Sequence, residues 1–193
     1  MKELSNKINL TYKIKNFFFP FYKSKDVKKL FNILEKNEKN MQKNNQVAMF
    51  VGGCVRNFLA NENIDDIDIA SIFSPEEIKE KFRNSEFKVI DTGIAHGSVT
   101  AVINSNKFEI TTLRKDTKPD GRHAEVLFIG DWQQDSERRD FTINAIYMDK
   151  SGKIYDPQNG RYDLKNNKIK FIGKSSLRIE EDYLRIIRFI RFS

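Results

Sequence analysis

Ile64-Asp65-Asp66-Ile67-Asp68-Ile69-Ala70 is the stretch on which the reading of this 193-residue chain turns. Side chains of a strand alternate between its two faces, so Asp66 and Asp68 share one face while Ile67 and Ile69 share the other. Two carboxylates one strand step apart make a claw for a divalent cation. The bland alternative is a pair of acids that solubilises a strand end. The flanking isoleucines favour a buried back and one defined cleft in front.

Upstream, the apolar run Val47 to Val51 predicts a strand, and Gly52-Gly53-Cys54-Val55-Arg56 predicts a glycine turn into a helix around 54–60. Gly52 and Gly53 let backbone approach a phosphate and offer helix N-terminal amides to it, and Arg56 would add a charge-assisted contact. A plain strand-to-helix turn is the competing reading. The stretch is not a Walker loop, because the second glycine and lysine of G-x-x-x-x-G-K-[ST] are missing. Strand, glycine turn, helix and DxD strand, in that order, suit an enzyme that holds a nucleoside triphosphate beside two metal ions. Phosphoryl and nucleotidyl transfer rest on positioning and charge neutralisation, and Mg²⁺ with hard carboxylate and phosphate oxygens supplies both. Asp66 and Asp68 are the bridging pair, and Glu109 in Phe108-Glu109-Ile110-Thr111-Thr112-Leu113-Arg114 is the third carboxylate candidate, since Phe108 and Ile110 should face the opposite way.

Further out, residues 26–44 read as a helix, with Val27, Leu30, Phe31 and Leu34 at helical spacing, and Ser74-Pro75-Glu76-Glu77 opens another over 75–83. Strands are predicted at 87–90, 98–103 and 107–113, the last two antiparallel about a turn at 104–106. An irregular basic loop should cover 114–124, followed by a strand at 125–128, a helix over 131–139 and an extended run over 141–148. A last helix is expected from about 175 to the terminus. Residues 1–25 form a basic lead-in whose Phe17 to Tyr22 cluster docks on its own core or on a partner. These boundaries divide the chain into an extension with a helix (1–44), a head (45–172) and the start of a helical unit (173–193).

Composition narrows the classes. At 39% hydrophobic and 32% charged the chain can bury one ordinary core. The net charge of +7 suggests a polyanionic partner such as nucleic acid, although Lys-rich coding gives the same balance. The single cysteine, Cys54, excludes an internal disulfide and fits a reducing cytoplasm. No apolar run reaches the roughly 18 residues a membrane span needs, and the first 15 residues lack the features of a signal peptide. His96 and His123 have no cysteine partners and make no zinc site. Ser136-Glu137-Arg138-Arg139-Asp140 concentrates guanidiniums at a helix end, a ribose or phosphate contact or else a surface ion-pair patch. Asp182, Arg185, Arg188 and Arg191 recur every three residues on an apolar helix, where Asp and Arg together can read a base edge, unless they form only a solvated face.

Taken in order, VGGCVRNFL, DDIDIA, GIAHGSVTAVI, FEITTLR, DGRHAEV, SERRDFTINAI, YDPQNGRYDLKNNKIKFIG and EEDYLRIIRFIRF, across about residues 47–192, resemble the head and early neck of the class II tRNA nucleotidyltransferase and poly(A) polymerase family. The resemblance implies an α+β nucleotidyltransferase fold, a mixed sheet flanked by helices, followed by an all-helical neck. It implies addition of CMP and AMP from CTP and ATP to a tRNA 3′ end by in-line transfer. It also implies Mg²⁺ on Asp66 and Asp68 with Glu109 as third acid, triphosphate held by Gly53 and Arg56, and nucleotide contacts from Arg139 and Asp140. Asp182 and Arg185 would act as the template for CTP and ATP, with Arg188 and Arg191 as further contacts. CC-only, A-only and poly(A) addition stay open. So do a catalytically silent nucleotide- or RNA-binding remnant and a DxD sugar-nucleotide transferase. Asn57 stands where the family usually has Asp, which should weaken the orientation of Arg56. The resemblance further implies that Ser193 lies inside the first neck helix, so that the chain is a fragment, a truncated product or a split subunit whose remaining helices lie elsewhere.

Overall fold

Strand β1 (Ala48–Val51) is buried at every residue, which is why its sequence is continuously apolar rather than alternating. In the computed structural model, which describes residues 2–36, 38, 46–93, 96–118 and 125–193, β1 sits inside a seven-stranded sheet. Its other strands are β2 (Ile67–Ser71), β3 (Lys88–Gly93), β4 (Ser98–Ile103), β5 (Asn106–Thr112), β8 (Tyr147–Met148) and β9 (Ile154–Tyr155), in the order β3-β4-β5-β2-β1-β8-β9. The β2–β5 pairing is parallel and the other pairings are antiparallel, so the sheet is mixed as expected.

Two apolar clusters cover its faces. On one side Phe50, Ile69, Val99 and Ile110 pack against Leu30, Phe31 and Leu34 of helix α2 (Lys25–Leu34) and against Ile78 and Phe82 of α4 (Pro75–Phe82). On the other side Met49, Val51, Ala70, Leu113 and Tyr147 form a smaller cluster beneath Trp132. Ser74 starts α4 with a reciprocal capping box to Glu77, the signal read from Ser-Pro-Glu-Glu.

The lead-in is helical, α1 (Lys2–Phe18), and its aromatic cluster is split. Phe21 packs edge-on to Phe50 at 4.9 Å and Tyr22 to Phe58 at 5.6 Å, whereas Phe17, Phe18 and Phe19 are exposed. The basic segment expected to be irregular instead opens as β6 (Arg114–Lys118), paired antiparallel with β7 (Glu125–Phe128). Cross-strand hydrogen bonds override its weak periodicity. Helix α2 stops at Leu34, with Glu35 as its C-cap, well short of the expected 44. His123, the rest of that loop, and residues 37 and 39–45 lie outside the described residues.

The run 141–148 is not one extended segment. A 3₁₀ turn occupies Thr142–Asn144 before β8, pinned by the Thr142 hydroxyl donating to the buried carboxylate of Asp163 at 2.7 Å. Asp163 belongs to α6 (Gly160–Lys165), which the sequence reading did not anticipate. The last helix is two, α7 (Ser175–Glu181) and α8 (Leu184–Phe192), because Asp182 adopts an extended conformation and its carboxylate accepts from the Leu184 amide at 3.0 Å. A short acid that satisfies the free amides of a new helix competes well with helix continuation.

Candidate active site

The cleft in front of β2 is built from the point where β1 ends. Gly52 leaves the strand at φ +73° and caps α3 (Gly53–Ala60), a backbone conformation that side chains rarely adopt. A Cβ on Gly52 would lie 3.3 Å from Asp68 Oδ2, so the glycine also makes room for the acid. Asp68 and Ala70 share the face of the smaller cluster, which aims the carboxylate to the front of the sheet. Asp66 lies one residue before β2 rather than within it, and it is exposed at the same opening.

Asp68 stands opposite Glu109 in the parallel register, and Phe108 and Ile110 are buried on the far face as the alternation predicts. Burial first, then the charges of Glu109 and Asp66, push the Asp68 carboxyl up to about 6 against the pull of Arg139 and Arg56. Such a site has too much negative charge for its polarity, which is the condition a divalent cation relieves. Asp66, Asp68 and Glu109 offer hard oxygens only, the donor chemistry that Mg²⁺ takes together with substrate phosphate. Among the described residues no group of three or more His, Cys, Asp or Glu side chains is placed to hold a metal ion, so the expected three-carboxylate claw of Asp66, Asp68 and Glu109 is not assembled as such.

Around these acids lies a cleft of about 610 Å³ that holds eleven of the twelve residues singled out from sequence. Gly52, Gly53 and Arg56 come from the β1–α3 turn, Arg139 and Asp140 from the end of α5 (Trp132–Glu137), and Asp182, Arg185, Arg188 and Arg191 from the break and α8. Glu109 is the exception and sits beside the cleft at the level of Asp68. Arg138, part of the Ser136–Asp140 segment read as a ribose or phosphate contact, also lines the cleft, and Arg114 adds a guanidinium that the sequence reading had not assigned to the site.

The arginines are held rather than loose. Arg56 donates twice to Asn57 Oδ1, at 3.1 and 2.9 Å, and also to Asn144 Oδ1, while its guanidinium lies 4.6 Å from the Phe192 ring. Asn57 thus orients Arg56 through a neutral amide oxygen where an aspartate would add a second charge. Burial, with Arg191 and Arg188 nearby and Glu62 and Asp140 opposing, pushes Arg56 below the usual guanidinium range. Asn144 donates in turn to Asp140 at 3.1 Å, and Asp140 accepts from Arg188 Nε at 2.7 Å, so one chain of contacts joins α3 to α8. Arg185 is tied to Glu181 at 2.6 Å and to the Arg178 carbonyl.

Asp135 was missed by the sequence reading. Its fully buried carboxylate accepts from Arg138 at 2.8 Å, from Arg139 and from the Tyr147 hydroxyl at 2.7 Å. Burial alone would raise its pKa, but Arg139 and Arg138, with the Tyr147 hydrogen bond, hold it down to about 2. Its spacing to Arg139, four residues along a helix end, was the available signal.

Residues 48–170 match the model of the poly A polymerase head domain. The chain belongs to the poly A polymerase head domain family. Within that family it is 42% identical over 189 residues to the zebrafish (Danio rerio) "CCA tRNA nucleotidyltransferase 1, mitochondrial", an alignment that covers 97% of this chain and 44% of that protein. The crystal structure of the Bacillus stearothermophilus CCA-adding enzyme in complex with CTP superposes with a TM-score of 0.72 at 34% identity, covering 88% of this chain and 39% of that one. A tRNA nucleotidyltransferase complexed with a primer tRNA and an incoming ATP analog gives a TM-score of 0.60 at 30% identity, covering 75% and 40%. The poly A polymerase head family chain therefore spans less than half the length of these relatives. Its mixed sheet and flanking helices are those of a CCA-adding enzyme head. No helix among the described residues is long and apolar enough to cross a membrane.

Proposed function

We propose that this chain is the catalytic head, with the first neck helices, of a template-independent RNA nucleotidyltransferase that adds CMP and AMP from CTP and ATP to the 3′ end of tRNA. The single observation that carries the reading is the convergence of Asp66, Asp68, Gly53, Arg56, Arg139, Asp140, Asp182 and Arg185 on one cleft from four separate parts of the chain. A carboxylate pair, a glycine turn and a ring of arginines are the three things that nucleotidyl transfer requires.

In this mechanism the Gly52-Gly53 turn and Arg56 receive the triphosphate, whose charge matches the excess of guanidiniums. Arg139, locked by Asp135, holds the phosphates from the opposite wall. Asp182 and Arg185, at the α7–α8 break, face the base, and Arg188 and Arg191 line the path between. Asp66 and Asp68, with Glu109 beside them, would hold Mg²⁺. When bound, the ion neutralises charge on the phosphate oxygens and makes the terminal RNA hydroxyl a better nucleophile. The 3′ oxygen then forms a bond to the α-phosphorus as the bond to pyrophosphate breaks, and the hydroxyl proton passes to solvent or to an acid of the pair.

The named complexes of related proteins with CTP and with a primer tRNA support these substrates for this chain. The setting we propose is the cytoplasm, on the strength of a lone buried cysteine, although the zebrafish relative bears a mitochondrial name. The test is incubation of a tRNA transcript lacking its terminal CCA with CTP and ATP, followed by sequencing of the 3′ end. Ordered addition of C, C and A supports the proposal. An A tail alone assigns poly(A) addition, and transfer to a sugar acceptor without RNA overturns the reading.

A further inference from the structure

Arg139 reaches the cleft with its orientation fixed from behind. Its Nε and Nη2 donate to Asp135 Oδ2 at 3.3 and 3.2 Å, and Nε also donates to the Tyr147 hydroxyl at 3.1 Å. The Tyr147 hydroxyl itself donates to the same carboxylate oxygen, at 2.7 Å, so carboxylate, phenol and guanidinium close a three-membered ring of hydrogen bonds. The other oxygen of Asp135 accepts from Arg138 Nε at 2.8 Å and from the Arg114 amide at 3.2 Å. Both Asp135 and Tyr147 are fully buried, and neither lines the cleft.

The anchorage extends into the sheet. Tyr147 lies in β8, in register with Val51, the residue immediately before Gly52. Trp132 packs edge-on to its ring at 5.6 Å. The strand that delivers the glycine turn therefore also sets the position of the phenol that holds Arg139. Two walls of the cleft are keyed to one strand pair.

We propose that Asp135 and Tyr147 are positioning residues for nucleotide binding: they fix the guanidinium of Arg139, so that the triphosphate meets a donor already in place. The inference rests on the reading of Arg139 as a phosphate contact. A preorganised guanidinium loses little side-chain freedom when the anion arrives, so the network raises affinity and not only stability. Removing the phenol oxygen while keeping the ring should free Arg139 without emptying the core.

The test is calorimetric titration of the 193-residue chain with inorganic tripolyphosphate and with CTP, in parallel with thermal melts. Tyr147→Phe is expected to weaken both ligands by about three- to tenfold, the equivalent of one hydrogen bond. Arg139→Lys should weaken them at least as much, and the double variant should bind no worse than Arg139→Lys alone, because the phenol acts through that arginine. Asp135→Asn should follow Tyr147→Phe in direction, and if it fails to fold, the tyrosine variant still carries the test. Unchanged affinity in Tyr147→Phe with a lowered melting temperature, while Arg139→Lys binds weakly, overturns the positioning role and leaves the phosphate contact standing. Unchanged affinity in Arg139→Lys overturns the phosphate contact and the proposal with it.

Discussion

At Asp68 the cost of building the site is visible in a single group. Its carboxyl is raised to about 6 in the folded chain, above the usual value of about 3.9 for an unfolded aspartate. The folded state therefore binds this proton more tightly than the unfolded one. Without added metal, the penalty is absent below about pH 4, grows through pH 6 and is complete above it. Asp68→Asn is accordingly expected to raise the melting temperature in EDTA at pH 7.5, with the gain vanishing at pH 4, while abolishing transfer. Melts across that pH range check it. Gly52→Ala carries the opposite sign for stability. At φ +73° and ψ −135°, outside the regions open to side-chain-bearing residues, a Cβ costs about 1–3 kcal/mol and crowds Asp68 Oδ2, so both stability and CTP affinity should fall, as chemical denaturation and titration would measure.

Two elements carry the link between the sheet and the last helices. The 3₁₀ turn at Thr142–Asn144 places Asn144 between Arg56 and Asp140, and Asp140 holds Arg188 of α8. Breaking the far contact with Arg188→Ala should speed amide exchange across α8 while leaving β1, β2 and β5 protected, which hydrogen-exchange mass spectrometry reads directly. Asn144→Ala should act on the near side. It frees one end of Arg56 and is expected to weaken CTP binding by about three- to tenfold, as befits one charged hydrogen bond. Asn57→Asp should strengthen the same arginine and tighten CTP modestly, because it restores a charge beside a guanidinium already hydrogen-bonded to that side chain.

At the scale of the whole molecule, alternation was the most legible feature. Ile69, Phe108 and Ile110 are buried and Glu109 stands beside Asp68, as a period of two requires. The glycine turn and the capped helix at Pro75 were equally readable, because local chemistry decides them. Less legible was what tertiary contacts decide. Asp135 resembles any helix-end acid until Tyr147, twelve residues away, arrives to share it. Asp182 was read as one position on a continuous helix, and only the Leu184 amide on its carboxylate shows that it ends one helix and begins the next. The segment from Arg114 has no apolar period of its own and becomes a strand because β7 pairs with it.

In the proposed function Asp66 and Asp68 serve one metal-dependent transfer in the arginine-lined cleft. The measurement that tests it most directly is incorporation of label from α-labelled CTP and ATP into tRNA lacking CCA, with and without Mg²⁺, for the 193-residue chain and its Asp66→Ala and Asp68→Ala variants. Incorporation is expected to require Mg²⁺ and to be lost in both variants. Incorporation that persists in EDTA or in either variant, or CTP binding without incorporation that neither substitution changes, would contradict it.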